Sequence, residues 1–407
     1  MKDWLAVTLG ILTAIGGFLD VGAIATAGEA GAKFGLGLVW ALVLATGAVM
    51  LLMTMVGRFT AVSQKPYAAA IREHFGFKFY LLPLASDVVS NSLMLTAELG
   101  GVAIALSLLT GINWHILFPL AALAVFATVW RAPFNLIENG PALLGLITLS
   151  FIAGIAALGG PPRDVIATLW RPDLKQGETA EYLFLAAAIL GAIISPYMIF
   201  FYSSGAREER WSRRSLMLNR VTAIAGMGFG AIAAVSLIVL SAIALRPHGI
   251  GAGTLGEIGL GMASAFGAVG GILFAVALLT CCFGAALEVT LAVSYDISQG
   301  FGWEYGEDKK PAEAPRFNLV ILIFVVLALL IGLLGIDPLQ LTLIASAIVA
   351  LLLPFSLAPF LIIMNDPDYL GDKTNGRWMN VATVAVIALA FVVAAVSFPL
   401  LLITGGG

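Results

Sequence analysis

The sequence predicts an all-α integral membrane protein of eleven spans, two of them broken. Three observations predict it. The chain is 60% hydrophobic and 11% charged, with a mean hydropathy of +1.01 over 407 residues, a balance far from that of a soluble domain. Apolar runs of about 20 residues, long enough to span a bilayer, recur from end to end. Two of these runs are interrupted at a depth where a lipid-facing backbone should be continuous helix.

The first interruption is Gly16-Gly17-Phe18-Leu19-Asp20-Val21-Gly22-Ala23-Ile24-Ala25-Thr26-Ala27-Gly28, which sets one carboxylate between glycines. A lone ionisable group at that depth costs a few kcal/mol, about 3 on insertion scales, so Asp20 is a functional candidate. The competing role is a helix cap, Asp20 accepting the freed N–H groups of the second half-helix. The second interruption is Gly191-Ala192-Ile193-Ile194-Ser195-Pro196-Tyr197, where Pro196 has no N–H to donate and clashes with the preceding turn. Broken segments at matching places in two halves of a membrane chain point to a transport site.

In order, the spans are 4–27 (broken), 38–62, 80–109, 114–130, 141–158, 182–204 (broken), 216–245, 265–293, 319–334, 339–364 and 381–403. The third and eighth exceed the bilayer thickness and should tilt or protrude. Residues 161–181 and the Gly-rich 246–261 read as external loops. Arg207-Glu208-Glu209-Arg210-Trp211-Ser212-Arg213-Arg214 reads as a solvated cytoplasmic connector, with anionic lipid as its alternative partner. The whole of 1–407 forms one transporter domain: 1–158 carries spans 1–5, 182–364 spans 6–10 and 381–403 span 11. With the N-terminus inside, sixteen of the 21 Lys and Arg fall on the cytoplasmic side. That asymmetry predicts a cytoplasmic N-terminus and an extracytoplasmic C-terminus, in a bacterial inner (plasma) membrane.

Cys281 and Cys282 are adjacent within an apolar run, so their side chains point apart and no disulfide joins them. The three histidines, His74, His115 and His248, fall in loops or at span ends, which argues against a histidine metal site in the membrane. No nucleophile–base pair or phosphate loop stands out. The chain therefore reads as a transporter rather than an enzyme, with no cofactor and no nucleic-acid partner. Its partners are the transported solute and membrane lipid, and a monomer is compatible with this reading.

Several stretches carry a family resemblance. Asp20-Val21-Gly22-Ala23-Ile24-Ala25-Thr26, Ala97-Glu98-Leu99-Gly100-Gly101-Val102-Ala103-Ile104-Ala105-Leu106, Ser195-Pro196-Tyr197 with Tyr202-Ser203-Ser204, Leu353-Pro354-Phe355-Ser356-Leu357-Ala358-Pro359 and Asn375-Gly376-Arg377-Trp378 match, in order, motifs on helices 1, 3, 6, 10 and 11 of one family. The chain resembles the natural resistance-associated macrophage protein (NRAMP) family of divalent-metal transporters. The resemblance implies a LeuT-like fold: two inverted five-helix repeats plus an eleventh helix, with helices 1 and 6 broken at the midplane. It also implies substrate binding at those breaks and alternating access.

The departures bear on the substrate. The family's aspartate ligand is kept as Asp20, its asparagine is Ala23 and its methionine is Ser195. A thioether favours transition metals, whereas hydroxyl, carboxylate and carbonyl oxygens suit hard cations such as magnesium or manganese. The expected substrate is thus a hard divalent cation, magnesium or alternatively manganese, as in the family's magnesium-transporting branch. Asp20 and Ser195 are the expected metal contacts, with Ala23, Tyr197 and Glu288 completing the site. Glu288 is a second anionic ligand or a coupling group, or else an acid protonated or paired within the bundle. Proton coupling is not expected: the family's acidic residue three before Glu98 is Leu95, and its helix 6 histidines are Tyr197 and Tyr202, which do not titrate near neutrality. The expected coupling or aqueous-path group is Glu98, Asp87, Asn91 and Tyr202. Asp87, Asn91, Met94 and Glu98 share one helical face, as a path wall or as helix–helix hydrogen bonding. Met94 and Met198 read as packing, with sulfur donation to a site as the alternative, and Thr26 and Ser346 as further oxygen donors. The rival reading is a transporter of an organic cation or other small solute, with Tyr197 and Tyr202 offering aromatic faces to an ammonium group.

Overall fold

The structure is a computed structural model describing residues 19–131, 145–161, 179–306 and 309–405. Among the described residues it contains helices and no strand. The helices that position the site are α1 (Val21–Phe34), α2 (Val39–Ser63), α3 (Tyr67–Phe75), α4 (Phe77–Thr110), α5 (Trp114–Arg131), α6 (Ser150–Ala157), α7 (Thr179–Ile193) and α8 (Pro196–Glu208). Beyond them lie α9 (Leu216–Val221), α10 (Met227–Ala244), α11 (Leu255–Phe266), α12 (Ala268–Phe301), α13 (Pro315–Gly332), α14 (Pro338–Leu357), α15 (Phe360–Ile363), α16 (Pro367–Leu370) and α17 (Arg377–Thr404).

Nine helices among the described residues are long and apolar enough to cross a membrane, and they correspond to expected spans 2, 3, 4 and 6–11. Span 1 is represented by α1, its second half, and span 5 by the apolar stretch Gly145–Ala157. The N-terminal half of span 1 lies outside the described residues.

Burial separates the inner helices from the outer ones. In the most apolar stretch of the broken span Thr179–Glu208, 94% of residues are buried, against 28% in Trp114–Arg131 and in Arg377–Thr404. The outer helices turn Ile116, Leu123, Leu330 and Leu402 outward, as lipid-facing positions should be. The inner helices have few polar groups to spare for lipid and approach closely. Gly191, near the end of α7, is one such contact: a Cβ there would stand 2.2 Å from the Ser346 backbone oxygen of α14, so only glycine fits.

Three expectations about boundaries are corrected. The loop expected at 246–261 contains the start of a helix, α11, capped by Thr254, whose side chain accepts from the Glu257 N–H. Span 1 was expected to end at 27 but α1 runs to Phe34, holding Lys33 in an ion pair with Glu29 one turn back (2.6 Å) and with Glu181 of α7 (2.5 Å). Span 8 was expected to end at 293 but α12 continues to Phe301. Its last two turns are polar, and they remain helical because they are buried against α4 and α8 rather than facing solvent.

Candidate metal-transport site

The site begins at the N-terminus of α1. A helix leaves its first N–H groups without intrahelical partners, and here two acids supply them. Asp20 has an extended backbone (φ −97°, ψ −179°), and its Oδ1 accepts the Ala23 N–H at 2.7 Å. Glu98, from α4, accepts the Val21 N–H on both carboxylate oxygens at 3.2 Å. Both acids are almost wholly buried and benefit from the positive end of the helix dipole. Asp20 therefore caps a helix, as one of its two expected roles requires. Thr26 donates its hydroxyl to the Gly22 carbonyl at 2.7 Å.

The other wall is the break between α7 and α8. Ile194 and Ser195 leave the helix, and Ser195 is extended (φ −79°, ψ 133°) immediately before Pro196. The break frees carbonyls at the end of α7, and the Ser195 hydroxyl donates back to those of Ala192 (3.0 Å) and Gly191 (3.3 Å). A hydroxyl that donates keeps its lone pairs, so Ser195 can still face a cation. The two breaks are adjacent: a Cβ on Gly22 would lie 3.1 Å from Asp20 Oδ1, 3.2 Å from the Ala192 Cβ and 3.3 Å from the Ser346 Oγ.

Helices α4 and α12 close the site. Asp20 and Glu288 both act electrostatically on the Glu98 carboxyl, which the Cys282 thiol also contacts. Tyr197, fully buried, lies in the field of Asp20, Glu288 and Glu98 together. Two carboxylates, a hydroxyl and freed carbonyls thus line one gap, with Glu288 within electrostatic range of Glu98 and Tyr197. Such a set of oxygens suits a hard cation. No group of three or more His, Cys, Asp or Glu placed to hold a metal ion is found among the described residues.

The sequence places no soft atom at the break, and this is corrected. The Sδ of Met94, on α4, lies 3.8 Å from the Ser195 Oγ. A thioether therefore reaches Ser195 from the neighbouring helix.

The remaining expected residues are placed as follows. Ala23 lies in the first turn of α1, where its N–H is taken by Asp20. Asp87 and Asn91 are fully buried on α4, the Asn91 amide donating to Asp87 Oδ2 at 2.8 Å. By helix rise they stand about 11–16 Å along the axis from Glu98. Tyr202 is not brought to the central gap: its hydroxyl donates to Asn219 Oδ1 (3.0 Å) and its ring meets Trp211 edge-on. The histidines stay at the periphery, His74 paired with Asp366 at 2.9 Å, His115 beside Asn113 and His248 beside the Ala244 carbonyl. Cys281 and Cys282 are free thiols. Asp296, near the end of α12, was missed, because the sequence assigns it to the connector after span 8.

Comparisons with known proteins bear on the family and the fold. The family profile described as natural resistance-associated macrophage protein-like matches residues 10–399. The divalent metal cation transporter MntH of Deinococcus radiodurans is 28% identical over 400 residues, covering 92% of this chain and 85% of its own. The manganese transporter of Eremococcus coleocola, crystallised with an aromatic bis-isothiourea substituted compound, superposes with a TM-score of 0.80 at 19% identity, over 96% of this chain and 85% of that one. MhsT in complex with L-phenylalanine superposes with a TM-score of 0.63 at 17% identity, over 96% and 98%. The architecture is accordingly LeuT-like, two inverted five-helix repeats followed by an eleventh helix. With the profile spanning nearly all of it, the chain belongs to the natural resistance-associated macrophage protein family of divalent metal cation transporters, and it is a transporter rather than an enzyme.

Proposed function

We propose that this transporter moves a hard divalent cation, magnesium or manganese, by alternating access through the gap between α1, α4, α8 and α12. The observation that carries the reading is the buried Asp20 carboxylate at the α1 break, facing the Ser195 break across the Gly22–Ala192 contact. Asp20 is the charged ligand, Ser195 and Glu288 are further oxygens, and the cation keeps part of its water shell, as magnesium tends to do. The family relationship and the manganese-transporter neighbour support a divalent metal over an organic cation. Tyr202, committed to Asn219 and Trp211, is not available as an aromatic face for an ammonium group.

Movement of the cation without a coupled proton is part of the same proposal. No histidine stands near the gap, Leu95 is apolar, and Glu98 is engaged as a cap for Val21. The asymmetry of Lys and Arg favours a cytoplasmic N-terminus in a bacterial plasma membrane.

The test is uptake into proteoliposomes of magnesium, manganese and calcium, with and without a pH gradient. Saturable magnesium or manganese uptake, lost in Asp20→Ala and indifferent to the gradient, is the expected result. Uptake that collapses without the gradient would overturn the uncoupled reading. Transport of amines but of no metal would overturn the substrate assignment.

A further inference from the structure

A second set of buried acids lies on the same two helices, away from the central gap. Asp87 of α4 and Asp296 of α12 are both 0% exposed, and their carboxyl groups meet. They meet acceptor against acceptor, so no hydrogen bond joins them while both are ionised. Asp87 Oδ2 receives the Asn91 amide at 2.8 Å. Four oxygens at this point have no donor within reach: Asp87 Oδ1, Asn91 Oδ1 and both oxygens of Asp296. Neither acid belongs to any ion pair among the described residues.

The surroundings do not neutralise the pair. The Tyr80 hydroxyl is spent on the Asp296 backbone carbonyl at 2.8 Å. Arg72 reaches the Gly300 carbonyl at 3.3 Å rather than a carboxylate. Gln299 turns its amide to Ser204 of α8 at 2.9 Å. Two buried charges left without partners are strongly unfavourable, as when a buried ion pair loses one partner.

We propose that Asp87, Asn91 and Asp296 form a second divalent-cation site, a waypoint between the central gap and the membrane face where α4 begins and α12 ends. The chemistry fits: two carboxylates and an amide carbonyl are hard oxygens, and one or two carboxylates with retained water is how magnesium is commonly held. One divalent cation balances both charges and supplies all four orphaned oxygens, whereas a single shared proton serves only two of them. The position also fits. Asp87 stands eleven residues from Glu98 on α4 and Asp296 eight from Glu288 on α12, about 16 Å and about 12 Å along the helices, both in the same direction. The Gln299–Ser204 contact lays α8 over this stretch, so movement of α8 from its break at Ser195 would open the site. The waypoint rests on the proposed metal substrate, and its test separates the two.

The experiment counts manganese bound to the full chain in detergent or nanodiscs by equilibrium dialysis with elemental analysis, alongside the Mn2+ electron-spin-resonance spectrum. Wild type should bind two ions per chain. Asp296→Asn and Asp87→Asn should each bind one, Asp20→Ala one, and Asp20→Ala with Asp296→Asn none. Size-exclusion profiles like that of wild type identify folded variants, and the two acid variants check one another. A wild-type count of one that Asp296→Asn and Asp87→Asn leave unchanged would overturn the waypoint, including the case in which the acids share a proton. A count unchanged by Asp20→Ala but reduced by Asp296→Asn would instead overturn the central site and leave the waypoint standing.

Discussion

Two groups of buried acids meet along α4, Asp20 with Glu98 and Asp87 with Asp296, and the groups are treated in opposite ways. At the central gap two acids have protein donors: Asp20 holds Ala23 and Glu98 holds Val21. One helix turn of freed N–H groups serves both, so the charges are tolerated before any cation arrives. At the inner pair, Asp87 has one amide and Asp296 has none. The difference teaches that burial alone does not define a role. A carboxylate that caps a helix is partly structural, and removing it costs stability. A carboxylate facing another without donors costs stability by being there, and some other requirement must keep it.

The sharpest way to break this comparison is Asp20→Asn, because asparagine caps a helix about as well as aspartate. If the cap were the whole role of Asp20, the variant would transport normally. We expect near-wild-type thermal stability with metal uptake reduced on the order of a hundredfold, since losing a buried charge partner costs about 3 kcal/mol or more. Parallel melting curves and uptake assays check it. Asp20→Ala should lose transport equally and a further ~1 kcal/mol of stability with the cap.

Next in size are two substitutions of opposite sign. Glu98→Ala strands the buried Val21 N–H and should destabilise by about 1–3 kcal/mol. Asp87→Asn, in protein stripped of divalent cations, relieves one of two facing charges and should stabilise, by up to about the same amount. Adding manganese should raise the melting temperature of wild type more than that of Asp87→Asn, because ligand binding to the folded state stabilises it by mass action. If Asp87→Asn melts lower than wild type in chelator, the contrast between the two groups is wrong.

Much of the fold was legible because hydropathy reports lipid contact directly, and the nine long helices fall on expected spans. The two breaks were legible for a related reason. Glycines around an aspartate and a Ser-Pro pair have no other explanation at midplane depth. The end of α12 was not legible: Ser294, Asp296, Ser298 and Gln299 resemble a solvated connector by composition, and only packing against α4 and α8 makes them interior. Helix α11 was masked by its glycines, which suggest a loop until Thr254 is seen capping it. Met94 illustrates a limit of a different kind. Helical spacing puts it on the face of Glu98, but its approach to Ser195 depends on how α4 crosses α8, which no local pattern encodes.

That contact underlies the smallest expected effect. The reading of a hard site came from serine standing where the family has methionine, yet a thioether lies 3.8 Å from the Ser195 Oγ. If Met94 Sδ faces the cation, part of the soft character has moved from α8 to α4. Met94→Leu conserves volume and removes only the sulfur, so cadmium competition against manganese uptake should weaken several-fold while magnesium uptake stays near wild type. Ser195→Met should act in the opposite sense and strengthen cadmium competition. A double variant separates the residues. If Ser195→Met alone shifts selectivity and Met94→Leu does nothing in either background, Met94 is packing and the site is as hard as its oxygens. If both shift it and the effects cancel together, sulfur from either helix reaches the same ion, and selectivity here depends on which helix presents it.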